Sequence, residues 1–299
     1  MKLKLKKEII ENTTLSNEAL MVYLGIVLSY RPLYQEIPIN YGQLNYYLNK
    51  TTAMPQYFDK SLRKGLKQLI NDHVVTCIDK TKTEYFLGTK NIKLEDTDKF
   101  IFVDVEDVHK IMQSDCKSKN AVLRLYLCML GTFIGKNHIK DIRDPDKYNN
   151  ILGMMSQQYL SDISKISRTS VIEYMKVLEE LELIYVSRCS ALFQDKYGNI
   201  KQHNNIYGKY SDRELIDEFT KIRYEMYDDF HNIKSKITTN NARSLAQKYN
   251  CLANKTKYDK ETVAEIYKYV CDYNEKYPNK AKDMTPFVKY GYKVDKKVE

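Results

Sequence analysis

The chain has 299 residues, and its 48 Lys and Arg against 39 Asp and Glu give a formal net charge of +9. This excess favours a polyanionic partner, whereas the many acidic residues exclude a histone-like basic tail. No apolar run approaches the roughly 20 residues that span a bilayer. The basic start is followed by Glu8 and Glu11, which is not the pattern of a signal peptide. We therefore expect a soluble, cytoplasmic protein with no membrane partner and with room for two or three domains.

Nothing in the sequence indicates catalysis or a bound cofactor. The cysteines lack zinc-finger spacing, the histidines form no HxH or HxxxH pair, and neither a phosphate-binding glycine loop nor a nucleophile elbow occurs. The carboxylates between Asp141 and Asp146 do not follow the calcium-loop pattern, so this segment predicts a solvated loop. The expectation is a protein that is not an enzyme and holds no cofactor or metal, with reduced thiols and a buried Cys128.

Residues 1–14 have the composition of a basic N-terminal arm, and residues 15–112 are predicted to form a first domain. Ser16 is a candidate N-cap for the opening helix, which must stop before Pro32. The further predicted elements are an extended piece at Ile37–Ile39, helices at Tyr41–Leu48 and Gln56–Asn71, strands at Val74–Ile78 and Glu84–Gly88, and then a strand at Phe100–Val103 and a helix at Val105–Met112.

The same pattern recurs in residues 113–211. Its predicted elements are a helix from Ser118, a polar loop insertion at Gly135–Asn150, helices at Ser156–Ile163 and Val171–Leu183, and strands at Leu183–Ser187 and His203–Tyr207. Two helices joined by a turn and followed by a basic hairpin are typical of a winged helix, whose second helix can enter the DNA major groove. The predicted fold class is mainly α with small β-hairpins, an α+β chain. Two tandem winged-helix domains precede a helical accessory region with a frayed tail at residues 212–299.

In the first domain, the candidate DNA-binding residues lie at the turn and on the helix that follows it. They are Thr51, Thr52, Gln56, Tyr57, Lys60, Arg63, Lys64 and Lys67, with Lys80 and Lys82 in the hairpin. The basic residues recur at spacings of three and four, which places them on one face away from the apolar stripe. Such a stripe is often only a solvated face, but here it coincides with the predicted groove-facing side. Lysines in the hairpin would contact phosphate and add affinity without sequence information.

The second domain offers a similar set, namely Arg168, Thr169, Ser170, Glu173 and Tyr174, with Lys196 and Lys201 in its hairpin. Arg168 is the best candidate for a guanine, because its planar fork matches the two acceptors of that base in the major groove. Thr169 and Ser170 are equally suited to capping the helix. Glu173 follows Ser170 at capping-box spacing, so it caps the helix or accepts a hydrogen bond from cytosine.

Two consecutive units of this kind resemble plasmid replication initiators of the tandem winged-helix type and phage replisome organisers. The resemblance rests on Tyr41–Ile78, on Met155–Val186 and on the closing segment Asn204–Tyr210. It implies binding of both units to repeated origin sites on double-stranded DNA, homodimer formation, and recruitment of host helicase or primase. The alternatives are a winged-helix transcriptional regulator, a plasmid partition-type DNA binder, and a protein-interaction scaffold whose winged domains do not touch DNA.

Overall fold

The computed structural model describes residues 1–89, 91–135, 139, 144–188, 192–194, 200–202 and 204–228. The part of the predicted accessory region beyond residue 228, with its tail, and Lys196 lie outside the described residues. One compact unit contains residues 1–186 and 207–213, and a second contains residues 187–206 with the chain from residue 214 onward.

The described chain combines helices with small antiparallel sheets. The helices are α1 (Lys7–Ile10), α2 (Asn17–Ser29), α3 (Tyr41–Asn49), α4 (Gln56–Asn71), α5 (Val105–Gln113), α6 (Lys119–Gly131), α7 (Gln157–Ser164), α8 (Arg168–Glu180) and α9 (Arg213–Asp228). The strands are β1 (Lys2–Lys6), β2 (Glu36–Ile39), β3 (Cys77–Lys80), β4 (Tyr85–Gly88), β5 (Phe100–Asp104), β6 (Leu152–Gly153), β7 (Ile184–Ser187), β8 (Leu192–Gln194), β9 (Ile200–Gln202) and β10 (Ile206–Lys209).

The first repeat consists of α2, β2, α3, α4, β3 and β4. Ser16 caps α2, as predicted, because its hydroxyl accepts a hydrogen bond from the backbone of Ala19. The strands form an antiparallel sheet in the order β2-β4-β3. Gly65 allows α4 to lie close against α2, since a Cβ at that position would stand 2.5 Å from the carbonyl oxygen of Glu18. The buried face of α4 thereby joins the apolar core of the unit.

Apart from β8 and β9, which lie between β7 and β10 in the chain, the second repeat has the same order of elements, α6, β6, α7, α8, β7 and β10, and its sheet order is β6-β10-β7. The strand predicted at His203–Tyr207 begins later, at Ile206. The segment predicted as a polar loop insertion contains a short helical turn at Pro145–Tyr148, in which Tyr148 is buried. The predicted elements keep their order, and β6, β8 and β9 are additional to them.

Backbone geometry also repeats between the two halves. The residue after α3, Lys50, and the residue after α7, Lys165, are both left-handed, with φ of 56° and 55°. His73 and Glu182, each two residues past the following helix, have φ of 55° and 54°. The next residues, Val74 and Leu183, donate to the carbonyls of Leu69 and Leu178 at 2.9 and 3.0 Å. Aligning the repeats on His73 and Glu182 therefore pairs Leu69 with Leu178.

Residues 1–14 are not a separate N-terminal arm. Strand β1 pairs antiparallel with β5 over its whole length, and α1 follows directly. Leu5, Ile9 and Ile10 are buried in the core of the unit. The alternation of Lys and Leu in residues 2–6 has the period of a strand with one buried face, so apolar burial determines the structure of this basic segment.

Both repeats belong to one core. The buried Arg124 of α6 donates hydrogen bonds to the carbonyl oxygens of Leu15 and Asn12, the latter at 3.1 Å. At the end of β10, Lys209 forms ion pairs with Asp104 at 2.5 Å and with Asp107 at 3.6 Å. These contacts join segments more than a hundred residues apart and hold the repeats together.

Candidate nucleic-acid interface

Helix α4 divides into a buried stripe and a basic exposed stripe. Phe58, Leu62, Leu66 and Leu69 are buried, as their helical spacing predicts. The opposite side exposes the predicted Lys60, Arg63, Lys64 and Lys67 to solvent. Pro55 immediately precedes the helix and is its N-cap, one position earlier than predicted. The long cationic side chains of α4 are therefore available to a partner.

The turn before α4 is also exposed, and one of its predicted residues has a structural role. The carbonyl of Thr51 accepts a hydrogen bond from the Asn45 side chain at 2.7 Å, and its hydroxyl accepts one from Ala53. Thr52, Gln56 and Tyr57 are exposed, Tyr57 to 68% of its surface. A tyrosine this open at the first turn of α4 is placed to contact a partner.

Arg63 is held by two neighbours. Its Nε donates to Asp59 Oδ2 at 2.7 Å, and its guanidinium lies 4.4 Å from the ring centre of Tyr41. Tyr41 in turn donates to the hydroxyl of Tyr85 at 3.1 Å, and Lys80 Nζ lies 4.8 Å from the Tyr85 ring centre. We call Tyr41, Asp59, Arg63, Lys80 and Tyr85 the arginine cluster. It joins the basic helix to the sheet.

Charges and burial within the arginine cluster change the acidity of its members. The hydrogen bond with Asp59 raises the pKa of Arg63. Burial, followed by the hydrogen bond to Tyr85, raises the pKa of Tyr41. That same hydrogen bond lowers the pKa of Tyr85, and Lys80 and Arg63 lower it further. Arg63 therefore stays cationic throughout the physiological range.

The basic residues on either side of Arg63 differ from it. Lys64 Nζ pairs with Glu18 Oε1 of α2 at 3.3 Å, although 67% of the Lys64 side chain is exposed. Lys60 and Lys67 have no ion pair within the residues that the structure describes. In the hairpin, Lys80 and Lys82 are both exposed, and the turn between the strands is closed by Thr81 and Glu84. Lys60, Lys67 and Lys82 are thus free to move toward a phosphate.

The second repeat presents a different surface. Helix α8 begins at Arg168, earlier than predicted, because the Ser167 hydroxyl accepts a hydrogen bond from the backbone of Ser170 at 3.2 Å. The proposed capping box of Ser170 and Glu173 is therefore not formed. Arg168, Thr169 and Glu173 are exposed, whereas Ser170 and Tyr174 are half-buried. In the described part of the chain, the Arg168 side chain has no hydrogen-bond or ion-pair partner. The side chain of Lys201, in β9, lies outside the described residues.

Three members of the arginine cluster, Tyr41, Asp59 and Tyr85, do not appear among the residues predicted from sequence. The spacing of four between Asp59 and Arg63 is a sequence signal for an ion pair. The contact of Tyr41 with Tyr85 has no such signal, because it depends on the pairing of β2 with β4.

Other kinds of site find no support among the described residues. No group of three His, Cys, Asp or Glu side chains within them is placed to hold a metal ion. Likewise, no described helix is long and apolar enough to cross a membrane. Burial raises the pKa of Cys128 to about 12, which leaves this thiol protonated and unreactive.

Comparisons with known protein families, with curated proteins and with solved structures found no match to this chain. The function must therefore be inferred from the residues themselves.

Proposed function

We propose that the protein binds double-stranded DNA sequence-specifically through two winged-helix units. The support is topological. Each repeat contains a helix, a strand, two helices and two further strands in that order, and the last strand lies between the other two of its sheet. In the second repeat, β8 and β9 are inserted before the last strand. This order of elements supports the winged-helix proposal, because in a winged helix the second helix of the helix–turn–helix enters the major groove. Under this proposal, α4 and α8 are the recognition helices.

The observation that carries the proposal is the basic exposed stripe of α4 beside a hairpin that exposes two lysines. Lys60, Arg63, Lys64 and Lys67 share one side of the helix, and Lys80 and Lys82 lie on the adjoining hairpin. A core-facing helix needs only its apolar stripe, and a solvated face does not need this many cations of one sign. Several Lys and Arg on one surface supply the phosphate contacts from which most DNA affinity comes.

A protein-interaction scaffold is less consistent with this surface. Interfaces between proteins are depleted in lysine at their centre, whereas the middle of α4 exposes Lys60, Lys64 and Lys67. The exposed Tyr57 and the threonines at the turn can donate hydrogen bonds to phosphate or base edges. A duplex satisfies both the charges and the donors.

The resemblance to tandem winged-helix initiators makes origin repeats the first DNA to test. Under this narrower proposal the protein starts replication of a plasmid or phage, binds direct repeats and recruits host helicase or primase. A transcriptional regulator or partition-type binder would instead select a palindrome that matches a two-fold dimer. The relative orientation of the half-sites in the selected DNA therefore separates the alternatives.

Fluorescence anisotropy with the full chain and a labelled duplex tests the proposal. We expect binding that weakens steeply as salt rises, and a large loss of affinity when Lys60, Arg63 and Lys64 are all changed to Ala. The matched control changes Lys93, Lys99 and Lys110 to Ala, which removes the same charge from exposed positions outside the repeats. Equal losses in both triple variants would mean that only net charge matters, and no binding by the unmodified chain would refute the proposal.

A further inference from the structure

We propose that Arg63 recognises a guanine base and that Asp59 and Tyr41 are positioning residues for it. This inference rests on the proposed DNA-binding function and names the base contact within it. It also changes the ranking of candidates, because the sequence alone favours Arg168 for this role. What separates the two arginines is how their side chains are held.

The contacts of Arg63 leave one edge of its guanidinium available. Nε is occupied by Asp59, and one face of the group lies against the Tyr41 ring. Within the described residues, the two terminal nitrogens have no hydrogen-bond or ion-pair partner, and 58% of the side chain is exposed. Two parallel N–H donors in a fixed plane match the N7 and O6 acceptors that guanine presents in the major groove.

Of the two positioning residues, Asp59 is largely buried and Tyr41 is held by its own contacts. Asp59 lies in the first turn of α4, where a carboxylate is favoured by the helix dipole, and only 24% of its side chain is exposed. Tyr41 is fixed at the start of α3 by its hydrogen bond to Tyr85 and by edge-to-face contact of the two rings. An arginine ordered before binding loses less conformational entropy when it meets the base, which favours precise recognition.

The carboxylate beside Arg63 indicates a base rather than a phosphate. Asp59 Oδ2 is 2.7 Å from Arg63 Nε. A distant phosphate therefore meets an ion pair with little net charge instead of an isolated cation. That lower net charge weakens attraction to a phosphate, but it leaves a neutral acceptor pair on guanine almost unaffected. The neighbouring Lys60 and Lys67, which have no such partner in the described chain, suit phosphate better.

A selection experiment with the full chain tests the assignment. A random-sequence duplex library first yields the preferred site, and each base pair of that site is then replaced in turn. We expect Arg63→Ala and Arg63→Lys to lose about 5- to 150-fold of the discrimination at one G·C pair and to keep it elsewhere. Asp59→Ala should reduce discrimination at the same pair, and Asp59→Asn, which keeps an acceptor oxygen, should restore part of it.

Further variants and a salt titration separate base recognition from simple charge. Tyr41→Ala removes the ring under the guanidinium and should reduce discrimination at that pair, whereas Tyr41→Phe keeps the ring and should retain most of it. Lys67→Ala is the control, with a uniform loss over all sequences and a decrease in the salt slope of about 0.9. Circular dichroism confirms that each variant is folded.

Two results would overturn the inference, and they differ from failure of the proposed function. If Arg63→Ala weakens every duplex equally and lowers the salt slope as Lys67→Ala does, Arg63 contacts phosphate. If Arg63→Ala leaves discrimination unchanged at every pair, it contacts no base. If instead the unmodified chain selects no sequence, the proposed function itself is wrong.

Discussion

The two repeats share a backbone plan but differ in surface charge. Helix α4 carries four basic residues and one carboxylate, whereas α8 carries two basic residues and three carboxylates. With the repeats aligned on His73 and Glu182, Lys60 corresponds to Thr169, Arg63 to Ile172, and Lys64 to Glu173. The turns and the core give the two repeats a common backbone geometry. The exposed residues differ, so the two helices present different charges to a partner. Affinity for a polyanion should therefore depend on the first repeat.

The connections before the two helices differ as well. Residues 50–55 join α3 to α4, and the shorter segment 165–167 joins α7 to α8. The longer turn adds exposed threonines and is stabilised by the Asn45 side chain, whereas the shorter one is closed by a serine cap. Both turns begin with a left-handed lysine, so the difference lies in what the turn presents to solvent.

The largest expected effect comes from the corresponding core residues Leu69 and Leu178, both completely buried. Changing either leucine to Ala should cost about 2–5 kcal/mol, from lost burial and the cavity left behind. Because both repeats belong to one core, hydrogen exchange should show lower protection in α2 and α6 together for either variant. Loss of protection confined to the repeat that carries the substitution would show that the repeats unfold separately.

Gly65 provides a smaller effect that is specific to the first repeat. An Ala Cβ there would meet the Glu18 carbonyl at 2.5 Å and Val22 Cγ2 at 2.8 Å, so α4 must move away from α2. We expect the close contact at Gly65→Ala to cost about 1–3 kcal/mol. Because Ala gains ~1 kcal/mol in helix propensity, the net destabilisation should be about 1 kcal/mol. Urea unfolding measures this. Ser61→Ala on the same helix is the control and should change stability little, so a stabilised Gly65→Ala would contradict the close contact.

Exchanging charges at the corresponding positions Lys64 and Glu173 tests whether the first repeat contributes more than the second to affinity for a duplex. Glu173→Lys should strengthen binding to a duplex and increase the salt slope by about 0.9, because it adds one phosphate contact. Lys64→Glu should weaken binding. Glu180→Lys, which adds the same charge at the far end of α8, is the control. Equal gains from Glu173→Lys and Glu180→Lys would show that α8 does not face the duplex.

The smallest expected effect is a pH dependence of stability through Glu18. Burial tends to raise its pKa, but hydrogen bonds to its carboxylate and the charge of Lys64 bring the pKa below its ordinary value. The folded state therefore releases this proton more readily than the unfolded state does. The stabilisation is present at neutral pH and is lost as the pH falls through the folded pKa.

Lys64→Ala should therefore reduce the difference in unfolding free energy between neutral and acidic pH by about 0.5 kcal/mol, as expected for an exposed pair. Lys67→Ala, which breaks no ion pair among the described residues, is the comparison. An effect of equal size for Lys64→Ala and Lys67→Ala would show that Glu18 and Lys64 are not coupled.

Periodicity in the sequence is sufficient to predict much of this architecture. The stripe of Phe58, Leu62, Leu66 and Leu69 and the cap at Ser16 are local signals, and the structure confirms the helices they predict. The start of α8 is harder to predict, because Ser167 and Ser170 are both suitable caps and only one can serve. Residues 1–14 are misassigned because positive charge conceals the alternation of Lys and Leu.

The arginine cluster lies beyond local signals. Tyr41 and Tyr85 are forty-four positions apart and meet only because β2 and β4 pair. Charge patterns identify α4 as basic without indicating that Arg63 is held while Lys60 is not. The contacts that link Arg63 through Tyr41 to Tyr85 depend on long-range pairing of strands, which cannot be predicted from the local pattern of a single sequence.

The contacts of Arg124 and Lys209 have a consequence for the proposed function. If α4 and α8 both bind DNA, the core that they share fixes the distance and rotation between them and therefore the spacing of the two half-sites. Adding about five base pairs, half a helical turn, between two bound half-sites would carry one of them to the far side of the double helix. Adding a full turn would return that half-site to the same side of the double helix but at a greater distance. The loss of affinity over such a series of spacers would therefore measure how rigidly α4 and α8 are held relative to each other.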